Sequence, residues 1–418
     1  MALSAGLESA GSEHGVSLSF STLGLSPQTL KAISDRGHEQ PTPIQSGAIP
    51  SALTGRDLVA TAGTGSGKTV AFLLPMLERL HTIKAAGVSA LILAPTRELA
   101  AQIAREFQLL TRNTRLAAVV VVGGESMGRQ ISDLRRGAQV IVACPGRLND
   151  HLERGTVRLD RIELVVIDEA DRMLDMGFLP QLRKIMRAVT KPHQTLMFSA
   201  TMEVGVEQVA REFLRNPERV TVGSVAAPPS TIRQSVYPVK TESKGPMLLE
   251  LLGSAEVESA IVFTRTKSRA DRVAKLLVRS GIMAVAIHGD RSQSQRNAAL
   301  AGFRRGTYRV MVATDIAARG LDIQDVSHVI NFDLPDVPDT YIHRIGRTAR
   351  MGKAGAALTL VAPDERQALA EIERLLGRKL ERARVAGFEL PELGSAKSST
   401  GSRPVVYNRR PQNRRRAG

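Results

Sequence analysis

The chain has 418 residues, enough for two or three domains, and its 57 Lys and Arg against 41 Asp and Glu give a formal net charge of +16 at pH 7. An excess of this size favours a polyanionic partner, either nucleic acid or an anionic membrane surface. The single cysteine, Cys144, excludes an intramolecular disulfide and a zinc site built from cysteines, and it suits a reducing compartment.

Residues 1–17 are predicted to be a disordered N-terminus. They lack the basic region and apolar core of a secretory signal. Glu8 and Glu13, with no Arg before Arg36, argue against a mitochondrial transit peptide. The longest apolar run, residues 116–122, is too short to cross a bilayer. We therefore expect a soluble, cytoplasmic protein.

A glycine-rich loop follows the first predicted strand, residues 57–61, and precedes a helix predicted to begin near Thr69. The backbone N–H groups of such a loop can surround a triphosphate, because Gly65 and Gly67 carry no Cβ and tolerate unusual dihedrals. Lys68 can then reach the outer phosphates, and the Thr69 hydroxyl can hold Mg²⁺.

Carboxylates follow a later apolar strand, residues 164–167, in the order Asp168, Glu169, Ala170, Asp171. Open α/β sheets bind ligands at the carboxyl ends of their parallel strands. Either motif alone also fits a simple turn or a solvated acidic helix start. Occurring together, each after a buried strand, they predict a nucleotide triphosphatase.

The rest of the chain alternates short β-branched runs with helical patterns, which predicts parallel sheets with crossover helices. The predicted strands are 58–60, 90–93, 117–122, 140–143, 164–167 and 195–198 in the first half, and 260–263, 283–287, 310–313, 328–331 and 357–361 in the second. Between the halves, Gly, Ser, Ala and a Pro-Pro pair indicate a linker. The second half has no phosphate loop of its own. It therefore serves the first half's nucleotide or binds something else, across a cleft between two α/β domains.

The C-terminal segment is basic. From Ala396 to Gly418 there are seven basic residues and no acidic one, separated by Gly, Ser, Pro and Asn. This composition predicts a disordered tail, acting either as a sequence-independent phosphate-binding arm or as a solubilising segment.

Over about residues 18–375 the chain resembles the DEAD-box RNA helicases of superfamily 2. The matching segments, besides the loop and the carboxylates, are Phe20, Gly37, 41–45, 95–100, 123–124, 144–147, 199–201, 262–264, Gln293 with Arg296, 314–322 and 343–350. Ala62, where a phosphate loop usually begins with Gly, is a variation common in that superfamily. The basic tail and compact second domain look most like the bacterial RhlE-type group.

The resemblance implies two tandem RecA-like, doubly wound α/β domains. The helicase ATP-binding domain is expected at residues 18–222, a linker at 223–232, the helicase C-terminal domain at 233–378 and the basic tail at 379–418. It also implies a monomer that binds RNA with little sequence preference, without a membrane and with ribosomal or RNA-decay assemblies as possible partners.

The implied chemistry is Mg²⁺-dependent ATP hydrolysis. Gln45 has an amide that donates and accepts, which suits the edge of adenine. Asp168 and Thr69 are implied to hold Mg²⁺, and Glu169 to orient and deprotonate the attacking water. The implied catalytic residues are Lys68, Asp168, Glu169, Arg347 and Arg350. The implied nucleotide-binding residues are Phe20, His38, Gln45, Ala62, Gly63, Thr64, Gly65, Ser66, Gly67, Lys68, Thr69, Gly320 and Asp322.

RNA is implied to cross both domains on another face, gripped at its backbone. The implied RNA-binding residues are Pro95, Thr96, Arg97, Gly124, Pro145, Gly146 and Arg147 in the first domain, and Thr264, Arg265, Gly289 and Thr314 in the second. Ser199 and Thr201 are implied to couple hydrolysis to unwinding.

Three residues depart from the family pattern. His38 replaces an aromatic residue that stacks on adenine, which predicts weaker ATP binding. Cys144 replaces a Thr, and a thiol is a poor hydrogen-bond donor to RNA. Ala349 replaces a Gly between the two arginines, which predicts a stiffer turn.

Two rival functions use the same core. A DNA helicase or translocase is disfavoured by the adenine-reading segment and by the spelling of the four-residue acidic motif. An ATP-gated RNA clamp, which holds RNA without productive unwinding, uses the same motifs as an unwinding enzyme. The sequence leaves unwinder and clamp open.

Overall fold

The computed structural model describes residues 19–63, 65–83, 87–222, 232–318, 326–349, 354–385 and 387–388. Several predicted features lie outside the described residues. They are Thr64, Gly320, Asp322, Arg350, the N-terminal residues 1–17, nearly all of the linker and most of the tail.

The first domain is built on a seven-stranded parallel sheet with the order β3-β4-β2-β5-β6-β1-β7. Its strands are β1 (Leu58–Ala62), β2 (Ala90–Leu93), β3 (Ala118–Val121), β4 (Val140–Ala143), β5 (Leu164–Ile167), β6 (Gln194–Ser199) and β7 (Glu218–Val222). Its helices are α1 (Pro27–Ser34), α2 (Pro43–Leu53), α3 (Lys68–Thr82), α4 (Arg97–Leu110), α5 (Met127–Arg135), α6 (Pro145–Glu153), α7 (Ala170–Asp175), α8 (Leu179–Ala188) and α9 (Val204–Phe213).

The second domain repeats this plan, with the parallel order β10-β11-β9-β12-β13-β8-β14. Its strands are β8 (Ile232–Pro238), β9 (Ala260–Phe263), β10 (Ala284–Ile287), β11 (Val310–Ala313), β12 (His328–Asn331), β13 (Gly355–Val361) and β14 (Glu381–Arg382). Its helices are α10 (Lys244–Gly253), α11 (Lys267–Arg279), α12 (Gln293–Arg304), α13 (Asp315–Ala318), α14 (Pro338–Ile345) and α15 (Arg366–Leu375).

Helices cover both faces of each sheet. Because successive side chains of a strand point to opposite sides, each strand contributes to the apolar cores on both faces. Leu58 and Ala60 of β1 join an apolar core with helices α2, α3 and α4, whereas Val59 joins a second core with helices α6 to α9. The second sheet is likewise covered, by α10 and α11 on one face and by α12, α14 and α15 on the other. Both sheets therefore present their strand ends as rigid platforms for loops.

The structure confirms the predicted fold class and all eleven predicted strands. It adds β7, β8 and β14, which the periodicity did not indicate. The second sheet extends past residue 378, because β14 pairs with β8 and Leu380 is buried in the core. The sheet thus continues past residue 378, where the domain end is predicted, and Ile232, the last residue of the predicted linker, is the first residue of β8. No helix in the described part of the chain has the length and apolar character that a membrane span requires.

Candidate functional site

The glycine-rich loop connects the end of β1 to the start of α3, as predicted. Gly65 and Gly67 have φ values of 80° and 93°, in the left-handed region that favours glycine. Lys68 is 8% exposed, and its Nζ donates a 2.6 Å hydrogen bond to the carbonyl oxygen of Ala62. The ammonium group therefore lies within the curve of the loop, where it can neutralise a phosphate. Thr69 follows it in the first turn of α3.

Gln45 is held against this loop. Its Oε1 accepts from the Thr42 N–H at 2.9 Å, and its Nε2 donates to the Gly67 carbonyl at 3.1 Å. A Cβ on Gly67 would lie 2.5 Å from Gln45 Nε2, so the contact requires glycine. Each half of the amide has made one hydrogen bond, which leaves one N–H and one lone pair for the edge of a base.

The other two residues predicted near the base lie in different surroundings. His38 is half-buried, and its Nε2 has no hydrogen-bond partner among the described residues. Phe20 is 4% exposed and packs in the apolar core with Leu23 and Ile44. Any influence of Phe20 on nucleotide binding therefore acts through the packing of this segment.

Asp168 and Glu169 lie at the carboxyl end of β5. Asp168 is 3% exposed and accepts a 3.0 Å hydrogen bond from the Glu169 N–H. Burial, followed by the neighbouring charge of Glu169, raises the pKa of Asp168 to about 7, against the opposing effect of Lys68. A cation bound nearby would stabilise the ionised form of this buried carboxyl group.

Glu169 has the opposite electrostatic environment. Burial alone would raise its pKa, but the positive charges of Arg172, Lys68 and Arg347 hold the pKa below its usual value. Arg172 forms an ion pair with it from the next helical turn. The Glu169 backbone is left-handed, with φ 52°, a costly conformation for a non-glycine residue and one often found at functional sites. Glu169 therefore stays ionised and can accept a proton.

The oxygen donors present fit Mg²⁺. The Thr69 hydroxyl and the Asp168 carboxylate are hard oxygen ligands, and Mg²⁺ is commonly held by one or two such groups together with substrate phosphates. Among the described residues there is no group of three or more His, Cys, Asp or Glu that could hold a metal alone. A metal site whose other ligands are substrate phosphates does not need such a group of protein ligands.

Asp171 connects the acidic segment to the predicted coupling residues. Its Oδ2 accepts from the N–H groups of Ala200 and Thr201 at 3.0 and 3.1 Å, and its own N–H donates to Ser199 Oγ at 3.3 Å. The sequence had assigned no role to Asp171. Its position as the fourth member of the acidic string was the available signal.

The second domain contributes Arg347 to this region. Its positive charge contributes to the lowered pKa of Glu169 in the first domain. The preceding Arg344 is 2% exposed and pairs with Asp315 at 2.6 and 2.7 Å. Arg344 thus anchors α14 in the domain, and Arg347 extends from an anchored helix.

A cavity of about 260 Å³ gathers most of the predicted RNA contacts of the first domain. It is lined by Pro95, Thr96, Arg97, Glu98, Gly123, Cys144, Gly146, Arg147, Met176, Phe178 and, from the second domain, Arg296. The other two predicted contacts are chain neighbours of lining residues: Pro145 lies between Cys144 and Gly146, and Gly124 follows Gly123. Gly124 has φ 75°, which favours glycine, and a Cβ there would lie 1.8 Å from Arg97 Nη1, so a side chain would displace the guanidinium.

The predicted RNA contacts of the second domain follow its strands. Thr264 comes directly after β9, Thr314 after β11 and Gly289 two residues after β10. Thr264 is fully buried, and its hydroxyl donates to the Thr266 carbonyl at 3.3 Å. Arg265 pairs with the exposed Asp336 at 3.2 Å. These residues share one edge of the sheet but do not line the 260 Å³ cavity.

Four side chains connect the two domains next to that cavity. Arg296 Nη2 lies 2.8 Å from Glu98 Oε1, in an ion pair whose side chains are 14% and 8% exposed. Gln293 accepts from Arg97 at 3.3 Å and donates to Glu98 at 3.2 Å. We call Arg97, Glu98, Gln293 and Arg296 the interdomain clasp. The sequence placed them in motifs but predicted no contact between them.

Two family models match the chain. Residues 42–209 match the model described as DEAD/DEAH box helicase, and residues 243–352 match the helicase conserved C-terminal domain. A DEAD-box ATP-dependent RNA helicase CshA from Bacillus subtilis (strain 168) is 43% identical over 367 residues, which cover 88% of this chain and 74% of the relative. The assignment to the RhlE-type group remains a prediction.

Solved structures match both domains together. A variant of S. cerevisiae Dbp5 bound to RNA and ADP BeF3 is 34% identical, with a TM-score of 0.81 over 88% of this chain and 95% of that one. The same variant bound to Nup159, a Gle1 variant, IP6 and ADP is 33% identical, with a TM-score of 0.62 over 87% and 96%. Over nearly the same span, this chain is therefore more similar in structure to the RNA-bound form than to the second form.

Proposed function

Because this chain belongs to the DEAD/DEAH box helicase family and is an ATP-dependent RNA helicase, we propose that it unwinds short RNA duplexes locally and non-processively, or remodels RNA–protein complexes, as its domains close on ATP and RNA. One observation carries the proposal. The two domains meet at the RNA cavity through the interdomain clasp, and the charge of Arg347 acts across the domains on the pKa of Glu169. A single closing motion therefore completes both the RNA cavity and the ATP site.

In the proposed hydrolysis, Lys68 and the loop N–H groups hold the phosphates, and Asp168 with Thr69 holds Mg²⁺. Mg²⁺ held by these two residues would offset the negative charge of the phosphates. Glu169, kept ionised by its cationic neighbours, orients the attacking water and takes its proton. Arg347, and Arg350 after it in the chain, stabilise the charge that develops on the transferred phosphoryl group.

ATP is the proposed nucleotide because of the hydrogen bonds that Gln45 still has to offer. One free N–H and one free lone pair match the adjacent donor and acceptor on adenine, whereas guanine presents a different pattern. An unpaired buried group costs about 1–3 kcal/mol, so GTP should be used at least roughly ten-fold less well.

Coupling is proposed to pass through Asp171. Its carboxylate is fixed by the backbone of Ala200 and Thr201, and it lies two residues after Glu169. A displacement of the acidic segment on hydrolysis must therefore move the coupling segment. Closure would be favoured by ATP and released by hydrolysis.

RNA is proposed to bind through its backbone. The lining combines small residues, which admit phosphates to backbone N–H groups, with the charges of Arg97 and Arg147. Arg147 is held in place by a 3.0 Å hydrogen bond to the Glu125 carbonyl. A strand bent to follow two closed domains cannot stay in an A-form duplex, so its complement is released. We propose the cytoplasm as the location, because a single thiol suits a reducing compartment.

The test compares two substitutions in the ATP site. Glu169→Gln should keep nucleotide binding and lose turnover by about 100-fold or more, since it removes the proton acceptor alone. Lys68→Ala should lose nucleotide binding itself. Glu153→Gln, on an exposed glutamate of α6, is the matched control and should behave as the parent.

RNA-stimulated ATP hydrolysis, ATP binding and unwinding of a short RNA duplex would be measured for each protein. Parental turnover in Glu169→Gln would show that the assignment of the base is wrong. Hydrolysis without strand release by the parent would point to an ATP-gated clamp.

A further inference from the structure

Helix α11 of the second domain has a cationic face. Arg272, Lys275 and Arg279 are three and four residues apart, which places them on one side of a helix. All three are exposed in the structure. None forms an ion pair with any residue in the described part of the chain. We call these three residues the α11 cation face.

The first domain offers an internal comparison. Helices α4 and α11 follow equivalent strands, β2 and β9, and each is capped by a threonine hydroxyl that accepts an N–H three residues on. With the two caps aligned, the α4 positions equivalent to the cation face hold Gln102, Arg105 and Leu109. Helix α4 thus has one cation where α11 has three. An exposed helix in this position therefore does not need three cations to be solvated.

The helix that carries the face begins beside the predicted RNA contacts. The N-cap of α11, Thr266, follows Thr264 and Arg265 directly, and the Lys267 side chain lies against Gly289, about 3.5 Å from where a Cβ would stand. At about 1.5 Å per residue, the cation face occupies roughly 10 Å of the helix beyond this edge. The face therefore starts about 9 Å along the helix from Thr266.

We propose that the α11 cation face binds the phosphates of RNA that flanks the segment held in the cleft. The inference rests on the proposed RNA path for its starting point. Such a track binds any sequence, since it contacts backbone alone. It would hold the flanking duplex against the second domain while the cleft-bound strand is bent.

An acidic protein is the other occupant with matching charge. Val278 and Met283, 55% and 56% exposed, border the face and are two of the four large hydrophobic side chains exposed among the described residues. RNA is favoured because the helix that carries the face begins directly after the predicted contacts Thr264 and Arg265, a placement that a separate protein partner would not require.

The test removes the three charges and varies the RNA. The variant is Arg272→Gln/Lys275→Gln/Arg279→Gln. The control, Lys31→Gln/Arg105→Gln/Arg112→Gln, loses the same charge from exposed positions of the first domain. Affinity is measured for a single strand of about six nucleotides, which fills the cleft, and for the same strand with a duplex added at either end.

For one of the two extended RNAs, we expect the α11 variant to bind about ten-fold more weakly than the control, with a salt slope lower by about 1–2. Its binding of the short strand, and its ATP turnover saturated with that strand, should match the control. Equal affinity of variant and control for both extended RNAs would overturn the proposal. Failure of the parent to hydrolyse ATP with the short strand would instead overturn the proposed function.

Discussion

Ala349 has a left-handed backbone, with φ 58°, between the predicted Arg347 and Arg350 pair. A Cβ in this region of backbone conformation crowds the following carbonyl, at a cost of about 1–2 kcal/mol, so the conformation favours glycine. The turn has little room to relax, because a Cβ on Gly355 would lie 2.7 Å from the Ala349 nitrogen. The chain therefore holds Arg347 on a strained and rigid turn.

Ala349→Gly should relieve this strain. We expect the free energy of unfolding of the second domain to increase by about 0.5–1 kcal/mol, and its unfolding temperature to rise by about 2–4 °C. The freer turn should position Arg347 less well, so kcat should fall about two-fold or more while ATP binding is unchanged. Ala362→Gly is the control, at φ −83°, and should destabilise instead. Calorimetry would measure the unfolding temperatures of both variants. A lower unfolding temperature in Ala349→Gly than in the parent would contradict the prediction.

Cys144 should be chemically inert in the folded protein. Burial, followed by the charge of Glu98, raises its thiol pKa from 9.0 to about 12. At pH 8 its thiolate fraction, and hence its alkylation rate, should be roughly a thousand-fold below that of the unfolded chain. The unfolded chain ionises first as pH rises, so this group's contribution to stability declines above about pH 9. Equal iodoacetamide labelling of native and urea-unfolded protein, measured by mass spectrometry, would contradict the prediction.

At the scale of elements, the interdomain clasp joins α4 of one domain to α12 of the other. Its ion pair is mostly withdrawn from water, so removing one partner leaves the other charge buried without compensation. The clasp can form only when the domains are closed. It should therefore stabilise the closed state in proportion to its own interaction energy.

A double-mutant cycle tests the clasp. Glu98→Gln and Arg296→Gln should each weaken RNA binding in the presence of a non-hydrolysable ATP analogue by about ten-fold or more. The double variant should lose less RNA-binding free energy than the two single variants lose in sum, because neither charge is left without its partner. Arg305→Gln, at the exposed end of α12, serves as the control. Additive losses would show that the pair does not couple the domains.

Most of the strands that the sequence predicted share one property. Strands such as Val140–Ala143 and Leu164–Ile167 are buried on both faces and read as unbroken apolar runs. β7 and β14 were missed because they are partly exposed edge strands, and Glu381–Arg382 has no apolar pattern to detect. Pairing with β8 forms β14, and that tertiary contact is invisible in local sequence.

The candidate site divides in the same way. Lys68, Asp168 and Glu169 were predictable because loop, strand and helix place them within one short motif each. The clasp was not, since Glu98 and Arg296 lie 198 positions apart and meet only through the relative placement of two domains. Asp171 was missed because its hydrogen bonds reach across the sheet to β6 and the residues after it.

At the scale of the whole molecule, positive charge is spread over three regions with different roles. The cleft contains Arg97 and Arg147, α11 carries its exposed face, and the tail carries seven cations from Ala396 to Gly418. In the proposed function, the cleft charges act on RNA in a fixed geometry and thus depend on closure. The tail has no catalytic group, and every proposed catalytic residue precedes Met351, so its contribution should be affinity alone.

Removal of residues 396–418 should separate these contributions. We expect weaker RNA binding and a flatter salt dependence, by about 0.7 in logarithmic slope for each single-strand phosphate no longer neutralised. Turnover at saturating RNA should be unchanged, because the ATP site and the clasp remain. Replacing the seven cations with Gln in the full-length chain is the matched control, and it should reproduce the deletion if charge is the cause. A parental affinity and slope after deletion would assign the tail to solubility, whereas lost turnover at saturating RNA would mean that the two domains do not suffice for closure.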